Sequence, residues 1–252
     1  MNNGVTRLVE VLESLANSPN GLTVTELSCV LGITKASASR ILSAYVEAGL
    51  AYRDAAQRHV PGLRLWSLGV KALQFFRIAE IARPMMLETS KAARIGLYLA
   101  TVQGERVYYI EQVGPGIPVL VPIATVLPIH ASGPGKAILA YSSEEAIASV
   151  LNKPLRRFTK ETITSKQAFL KELDDTRRRG YAINRGEYEE QAVGVAVPVF
   201  NHAAEPVASV GSTCAAADFG DEYIARVSPI LVEFGTTLSA ALGYARFGPK
   251  VG

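Results

Sequence analysis

Between residues 33 and 50 the apolar positions recur every three or four residues, which predicts an amphipathic helix. Thr34 is a suitable N-cap for this helix, and Gly49 is suited to ending it. The apolar stripe consists of Ala38, Ile41, Leu42, Tyr45 and Val46. The opposite face carries hydroxyl groups and two cations: Lys35, Ser37, Ser39, Arg40 and Ser43. Because short side chains let a helix lie deep in the major groove while Lys and Arg reach phosphates or guanine edges, we expect this face to bind DNA.

Two shorter apolar repeats precede this helix. The first predicts a helix whose stripe is Val5, Leu8, Val9, Leu12 and Leu15. The second predicts a helix that follows Thr23 and carries Val24, Leu27, Val30 and Leu31. Gly32 then separates the second helix from the third. A helix, a tight glycine turn and a second helix form the motif that places a recognition helix in DNA.

The segment after Gly49 alternates apolar and polar residues on either side of a polar turn, which predicts two short strands. Such a hairpin next to a helix-turn-helix is a wing. Arg53 and Arg58 lie on it, and we expect both to contact DNA. The alternative is an ordinary three-helix bundle whose serine-rich face is solvated.

Residues 63 to 84 continue with helical spacing and predict a linker helix or two successive helices, with Pro84 as a break. The apolar positions include Leu65, Leu68, Phe76 and Ile81. Exposing Phe75 and Phe76 to water on an isolated helix would be unfavourable, so they either contact a second chain or are buried within their own domain. A dimer would place two recognition helices about 34 Å apart, the spacing of successive major grooves.

Beyond Pro84 the pattern changes to mixed strands and helices. Strands are predicted at residues 95–102, 106–113, 119–123, 181–184, 193–200 and 207–213. Helices are predicted at residues 134–141, 143–151, 165–179 and 221–247. The segment from Asn201 to Pro206 forms a hairpin turn between the last two strands. The fold class is therefore α+β, with a winged helix-turn-helix followed by an antiparallel sheet flanked by helices.

Composition narrows the functional classes. With 252 residues and 48% hydrophobic content the chain can build two cores, and its net charge is only +3. So small a charge favours DNA binding by two copies, which doubles the phosphate contacts. The two cysteines, Cys29 and Cys214, exclude a disulfide framework or a cysteine-rich metal site, and Cys29 is expected to be a buried thiol. Without a signal core or an apolar run long enough to span a bilayer, a cytoplasmic location is expected.

The loop from His130 to Ala140 is the second informative feature. Pro134 suits the first helical turn, and the amides of Gly135, Lys136 and Ala137 are expected to receive a carboxylate. A plain glycine-rich turn is the alternative. The loop does not match a phosphate-binding P-loop. His130 and Ser132 lie too close along one loop to pair convincingly as base and nucleophile, and the three histidines lack metal-ligand spacing, so neither a catalytic site, a metal nor a cofactor is predicted.

Five segments together resemble the IclR family of bacterial transcriptional regulators. They are residues 23–50, the PGLRLWSLG sequence after Val60, the HASGPGKAILA loop, RFTKETIT and RGYAINRGEY. The likeness runs nearly end to end and in the right order. It implies a winged-helix repressor or activator with a GAF-like effector domain, forming a dimer or tetramer on a palindromic operator.

The resemblance also implies an effector pocket between the start of the GPGK helix and the neighbouring strands. Its residues would be Ser132, Gly133, Pro134, Gly135, Lys136, Ala137, Asn184, Gly194, Gly211 and Thr213. The family commonly has an acid at the position of Asn184, a cysteine at Gly194 and serines at Gly211 and Thr213. These replacements argue against a glyoxylate-like effector or a zinc site. They favour a larger, aromatic acid or amide held by apolar walls such as Val119, Ile123 and Leu97.

These observations predict a DNA-binding regulator of a catabolic operon that responds to a small organic effector and is not an enzyme. The domains are expected at 1–66 for the winged helix-turn-helix, 67–83 for the linker helix and 84–252 for effector binding and oligomerisation. Two alternatives stay open. One is an enzyme or ligand carrier fused to a DNA-binding module, with His130, Ser132 and Lys136 as its site. The other is an architectural DNA binder that senses no effector.

Overall fold

The structure is a computed structural model that describes residues 3–73, 77–115 and 125–245. The chain divides into two compact units, Met1–Arg77 and Ile78–Gly252. Each unit has its own hydrophobic core.

The first unit has the predicted order of three helices, a hairpin and a further helix. Its elements are α1 (Asn3–Ala16), α2 (Val24–Leu31), α3 (Lys35–Glu47), β1 (Ala51–Arg53), β2 (His59–Pro61) and α4 (Leu63–Leu73). β1 and β2 pair antiparallel and form the wing. The prediction of a winged helix-turn-helix is confirmed.

Local capping sets the boundaries of α2 and α3. Thr23 and Glu26 form a reciprocal capping box at the start of α2, and Gly32 ends that helix in the left-handed conformation with a φ of 61°. The Thr34 side chain accepts a hydrogen bond from the Ser37 amide at the start of α3. Gly49, with a φ of 70°, follows the last turn. The predicted N-cap and glycine stop of α3 are both present.

The residues of α1 that are buried in the core of the first unit differ from the predicted stripe. Val11 and Leu15 are fully buried, whereas Val5, Leu8 and Val9 are about half exposed. The side of α1 that packs on the unit is therefore rotated away from the predicted stripe. The expectations for α2 need two corrections, since Val30 and Cys29 are exposed while Leu27 and Ser28 are buried.

The second unit is an antiparallel sheet flanked by helices, as predicted. Its elements are α5 (Arg77–Ala93), β3 (Leu97–Gln103), β4 (Arg106–Val113), β5 (Val126–Pro128), α6 (Gly133–Leu139), α7 (Glu144–Leu151), α8 (Lys166–Arg179), β6 (Ala182–Arg185), β7 (Ala192–Phe200), β8 (Pro206–Ala215) and α9 (Asp221–Ala241). β5 was not predicted. The predicted strand 119–123 lies outside the described residues. The predicted end of α9 at residue 247 is wrong, because the helix stops at Ala241 before Gly243 adopts a φ of 83°.

The sheet has the strand order β5-β4-β3-β8-β7-β6, and its two faces build separate clusters. One face packs against α6, α7 and α8 and includes Tyr98 and Ala196. The other face packs against α5 and α9 and includes Leu97 and Val195. This alternation along β3 and β7 decides which residues face α6, where the effector pocket is expected. Among the described helices, none has the length and apolar content needed to cross a bilayer.

Candidate DNA interface and effector pocket

Helix α3 presents two chemically opposite faces. Ala38 and Leu42 are fully buried in the core of the first unit. The exposed face carries Lys35, Ser39, Arg40 and Ser43. Within the described part of the chain these four side chains make no hydrogen bond or ion pair, so their donors are available to a partner.

Thr34 and Ser37 serve the helix itself. The Thr34 hydroxyl donates to the Ser37 hydroxyl over 3.0 Å, in addition to capping the Ser37 amide. Ser37 is partly buried. Both residues therefore orient the first turn of α3, which carries Lys35.

The two arginines of the wing differ in their surroundings. Arg53 on β1 is exposed, and among the described residues its side chain makes one hydrogen bond, from Nε to His59 Nε2 over 3.2 Å. Arg58 is half-buried, and its guanidinium is already hydrogen-bonded within the first unit. Its guanidinium donates to the carbonyls of Asn20 and Gly21 and to Glu26.

Arg58 therefore anchors the wing to the N-terminus of α2, a role that the sequence analysis missed. Its partner Glu26 is also the capping-box acid, and the Thr23 amide followed by the Arg58 guanidinium lowers the pKa of Glu26 to about 2. The capping-box spacing predicts the Thr23 contact. Nothing in the sequence marks Glu26 as the partner of a residue 32 positions away.

At the start of α6, two of the three expected amides are already used. Gly135 donates its N–H to the Ser132 hydroxyl over 3.3 Å, and Lys136 donates its N–H to the Ser132 carbonyl over 3.0 Å. Gly135 is required here because a Cβ would lie 2.1 Å from the Ile129 carbonyl oxygen. This geometry does not fit the predicted carboxylate cradle at Gly135 and Lys136, because the helix cap already uses these donors.

The Lys136 side chain is buried in an ion-pair network and is 1% exposed. Its Nζ donates to the Ile183 carbonyl over 2.6 Å and to the Glu187 carboxylate, and it lies 3.4 Å from Glu172. Glu172 also pairs with Arg179 over 2.7 Å. Burial raises the pKa of Glu187, and the Lys136 charge opposes that effect. Lys136 thus ties α6 to β6 and α8, an arrangement that does not fit its predicted role as an effector ligand.

Asn184 is likewise used within the β6–β7 connection. Its Nδ2 donates to the Ala192 carbonyl over 2.9 Å, and its Oδ1 accepts from the Glu187 amide over 3.2 Å. The amide is therefore a structural partner of the hairpin. The expectation that it meets the effector does not fit this geometry.

The volume predicted at Gly194 and Gly211 is filled. A Cβ on Gly211 would lie 2.1 Å from the Tyr98 hydroxyl, so the phenol of Tyr98 covers this glycine. A Cβ on Gly194 would lie 2.2 Å from the Ser212 carbonyl oxygen of the adjacent strand. Among the described residues neither glycine leaves a cavity, and Tyr98 was not predicted to lie here. The sequence could have indicated this position, because side chains alternate along a strand and Tyr98 follows Leu97 directly.

Other predicted pocket residues remain near Tyr98 on the α6 face. A Cβ on Gly133 would lie 3.7 Å from the Tyr98 hydroxyl and 3.4 Å from Asn184 Cβ. Pro134 and Ala137 are buried in the same helix. Leu97 faces α5 and α9 instead, which does not fit its predicted role as a wall of a pocket on the α6 face. Val119 and Ile123 lie outside the described residues.

Thr213 on this face has a buried polar atom that calls for a further partner. It pairs with Gly194 across the strands, and Gly194 pairs with Asn184. Its hydroxyl oxygen is buried and has no hydrogen-bond partner among the described residues. A buried hydroxyl without a partner loses its hydration, so a ligand or water that bonds to it is favoured.

His130 has a structural environment. Its Nε2 lies 3.0 Å from the Arg156 carbonyl oxygen, and its ring packs against Phe158 with centroids 5.8 Å apart. The neighbouring Ser132 is the cap of α6. Among the described residues no cluster of three or more His, Cys, Asp or Glu side chains could hold a metal ion.

Comparisons with known proteins agree with this architecture. The IclR helix-turn-helix domain matches residues 4–55, and the C-terminal domain of bacterial IclR transcriptional regulators matches residues 70–240. The HTH-type transcriptional regulator XynR of Escherichia coli (strain K12) is 26% identical over 244 residues, which are 95% of this chain and 97% of that protein.

Two solved structures are similar over nearly the whole chain. The Thermotoga maritima IclR has a TM-score of 0.77 and 28% identity, covering 97% of this chain and 100% of that one. An IclR homologue from Microbacterium hydrocarbonoxydans, complexed with 4-hydroxybenzoate, has a TM-score of 0.75 and 26% identity, covering 94% of this chain and 99% of that one. These matches identify a DNA-binding transcriptional regulator and not an enzyme. With both family domains present in order, the chain belongs to the IclR family of bacterial transcriptional regulators.

Proposed function

We propose that this protein regulates a catabolic operon by binding duplex DNA through α3 and its wing, in response to a small aromatic acid or amide. In this proposal residues 1–66 bind DNA, residues 67–83 link the units, and residues 84–252 bind the effector and associate with other copies. The DNA-binding role rests on one observation: the exposed polar face of α3 has no hydrogen-bond or ion-pair partner among the described residues, while the opposite face is buried.

The DNA-contacting set consists of Lys35, Ser39, Arg40 and Ser43 on α3, with Arg53 on the wing. Thr34 and Ser37 orient the first turn of the helix, and Arg58 holds the wing in place. Selection of binding duplexes from a random pool tests this proposal. Enrichment of a palindromic sequence supports it, and enrichment of no sequence contradicts it.

The effector is proposed to lie on the α6 face of the sheet, near Thr213 and Tyr98, in space that opens when the Tyr98 phenol moves away from Gly211. The two residues flank one stretch of this face, because Tyr98 pairs with Gly211 two positions before Thr213. Their hydroxyls offer hydrogen bonds to a polar group, and the surrounding side chains are apolar. The family member that binds 4-hydroxybenzoate supports an aromatic acid as the ligand class.

Calorimetric titration of the full chain distinguishes the ligand classes. We expect heat from 4-hydroxybenzoate or benzamide and none from glyoxylate or pyruvate, since a two- or three-carbon acid leaves the aromatic contacts unmade. Binding of the small oxo-acids without binding of the aromatic ligands would contradict the proposed class.

Thr213→Val tests the effector site with an isosteric change. Loss of the hydroxyl should weaken effector binding by about 0.5–1.5 kcal/mol, the net value of one hydrogen bond. The free energy of unfolding should not fall, because that hydroxyl has no partner among the described residues. Calorimetry and thermal melting measure the two quantities. Ser212→Ala is the matched control, because Ser212 bonds to Tyr223 instead, and equal weakening in both variants would contradict the assignment.

Association between copies is proposed to involve α4 and the start of α5, within residues 65–81. Trp66 is 69% exposed and Leu68 is 52% exposed, which is unfavourable for large apolar side chains in water. Phe75 and Phe76, predicted to share this contact, lie outside the described residues.

Trp66→Glu should therefore shift the protein toward a monomer with weaker DNA binding, because two linked recognition helices bind two half-sites together. Light scattering measures the molecular mass. Glu80→Gln, a change on α5 that removes no apolar surface, serves as the control. An unchanged oligomer in Trp66→Glu would place the contact elsewhere.

A further inference from the structure

The imidazole of His59 connects the wing to the segment before α2. His59 is 2% exposed and lies on β2 directly opposite Arg53 on β1. Its Nδ1 is 3.3 Å from the Leu22 carbonyl oxygen, and its Nε2 is 3.2 Å from Arg53 Nε. The backbone groups of Leu22 and His59 also bond to each other in both directions, each over 2.8 Å.

These two contacts determine the protonation state of the ring. A carbonyl oxygen only accepts, so Nδ1 must carry the proton that bonds to Leu22. The Nε–H of Arg53 only donates, so His59 Nε2 must be unprotonated. His59 is therefore neutral in this arrangement, and a second proton would remove the acceptor that Arg53 uses.

The contact fixes one end of an otherwise exposed side chain. Arg53 makes no other hydrogen bond or ion pair among the described residues. With Nε held, the two terminal nitrogens of the guanidinium remain free to donate. A long side chain fixed in this way loses less conformational entropy when it meets a phosphate.

We propose that His59 is a positioning residue for DNA binding, whose neutral imidazole holds Arg53 in the conformation that contacts a DNA phosphate. This inference rests on the proposed role of Arg53 at the DNA interface. It adds a residue that is buried, does not touch DNA itself and acts through the arginine across the strand pair.

The charged groups around His59 set the direction of the pH dependence. Arg53 and Asp54 lie on the β1 side, and the pair of Arg58 and Glu26 lies along the segment before α2. Burial lowers the pKa of His59 below 6.5, and the Leu22 carbonyl opposes this effect. The neutral ring is therefore present above pH 6.5 and is lost as the pH falls through the lowered pKa. We expect DNA affinity to fall on acidification, whereas a cation that simply attracted phosphates would raise it.

The test uses the full chain and a labelled duplex that the unmodified protein selects from a random pool. Affinity is measured by fluorescence anisotropy between about pH 8 and about pH 5.5 for His59→Phe, His59→Gln, Arg53→Ala and Arg53→Ala combined with His59→Phe. At neutral pH His59→Phe should weaken binding about three- to tenfold, since Arg53 loses one hydrogen bond. His59→Gln keeps an acceptor, so it should retain affinity and lose the pH dependence. Adding His59→Phe to Arg53→Ala should cause no further loss.

The outcomes separate this inference from the proposed function. Unchanged affinity in Arg53→Ala, with a selected duplex still bound, contradicts both the DNA contact of Arg53 and the role of His59. Weak binding by Arg53→Ala with full binding by His59→Phe overturns only the positioning role. Additive losses in the combined variant overturn it too, because His59 would then act independently of Arg53. Should His59→Phe fail to fold, the His59→Gln profile decides, and a persistent fall in affinity at acid pH overturns the inference.

Discussion

Lys136→Met is expected to lower the free energy of unfolding of the second unit by about 3–5 kcal/mol. The variant keeps most of the apolar stem of the side chain but removes the ammonium group that pairs with Glu187. Glu187 is 3% exposed, so its carboxylate would remain buried without its cation. The large expected effect comes from this uncompensated charge, because a buried ion pair taken as a whole contributes little. Thermal melting should show a decrease on the order of 10 °C.

Two matched variants test that reason. Combining Lys136→Met with Glu187→Met should restore most of the stability, because neither charge then remains unpaired. Lys153→Met removes a lysine from an exposed ion pair with Glu105 and should cost less than about 1 kcal/mol. The deficit of Lys136→Met should also shrink as the pH is lowered, since burial raises the pKa of Glu187 and its neutral form needs no cation. A single variant as stable as Lys153→Met, or a double variant without recovery, would contradict the explanation.

Arg40→Ala is expected to weaken binding to the selected duplex by about 1–3 kcal/mol if the guanidinium meets a base edge. Arg40 is exposed on the polar face of α3, and within the described residues it has no hydrogen bond or ion pair. Its loss should leave the fold intact, because Ala38 and Leu42 on the opposite face form the core contacts. Anisotropy titrations measure the affinity, and melting checks stability.

Arg40→Lys distinguishes a base contact from a phosphate contact. A lysine preserves the charge but not the two-pronged geometry that recognises guanine, so a base contact would leave Arg40→Lys nearly as weak as Arg40→Ala. A phosphate contact would leave the lysine variant near normal and reduce the salt dependence only in the alanine variant. Arg7→Ala, which removes an exposed arginine from α1, controls for net charge. Full affinity in Arg40→Ala and in Lys35→Ala would show that this face of α3 does not bind the duplex.

The sequence by itself determined the local elements. The apolar spacing, the Thr34 cap and the Gly49 stop specify α3 through interactions that span no more than a few residues. The same holds for the wing and for the hairpin from Asn201 to Pro206, because a turn is determined by residues that are adjacent in the sequence. The fold class followed from these elements in order, and the family resemblance followed from motifs that keep their order along the chain.

Only the tertiary structure decided which polar groups remain available. Lys136 pairs with a residue 51 positions away, and Arg58 bonds to a residue 38 positions away. Tyr98 fills the space above Gly211, 113 positions later in the chain. The charge and size of such a residue do not identify its partner, because the partner is the group that the fold brings within contact distance. The sequence could therefore place α6 and its neighbouring strands. Packing across the sheet determined that Lys136 forms a buried ion pair and that the Thr213 hydroxyl has no partner among the described residues.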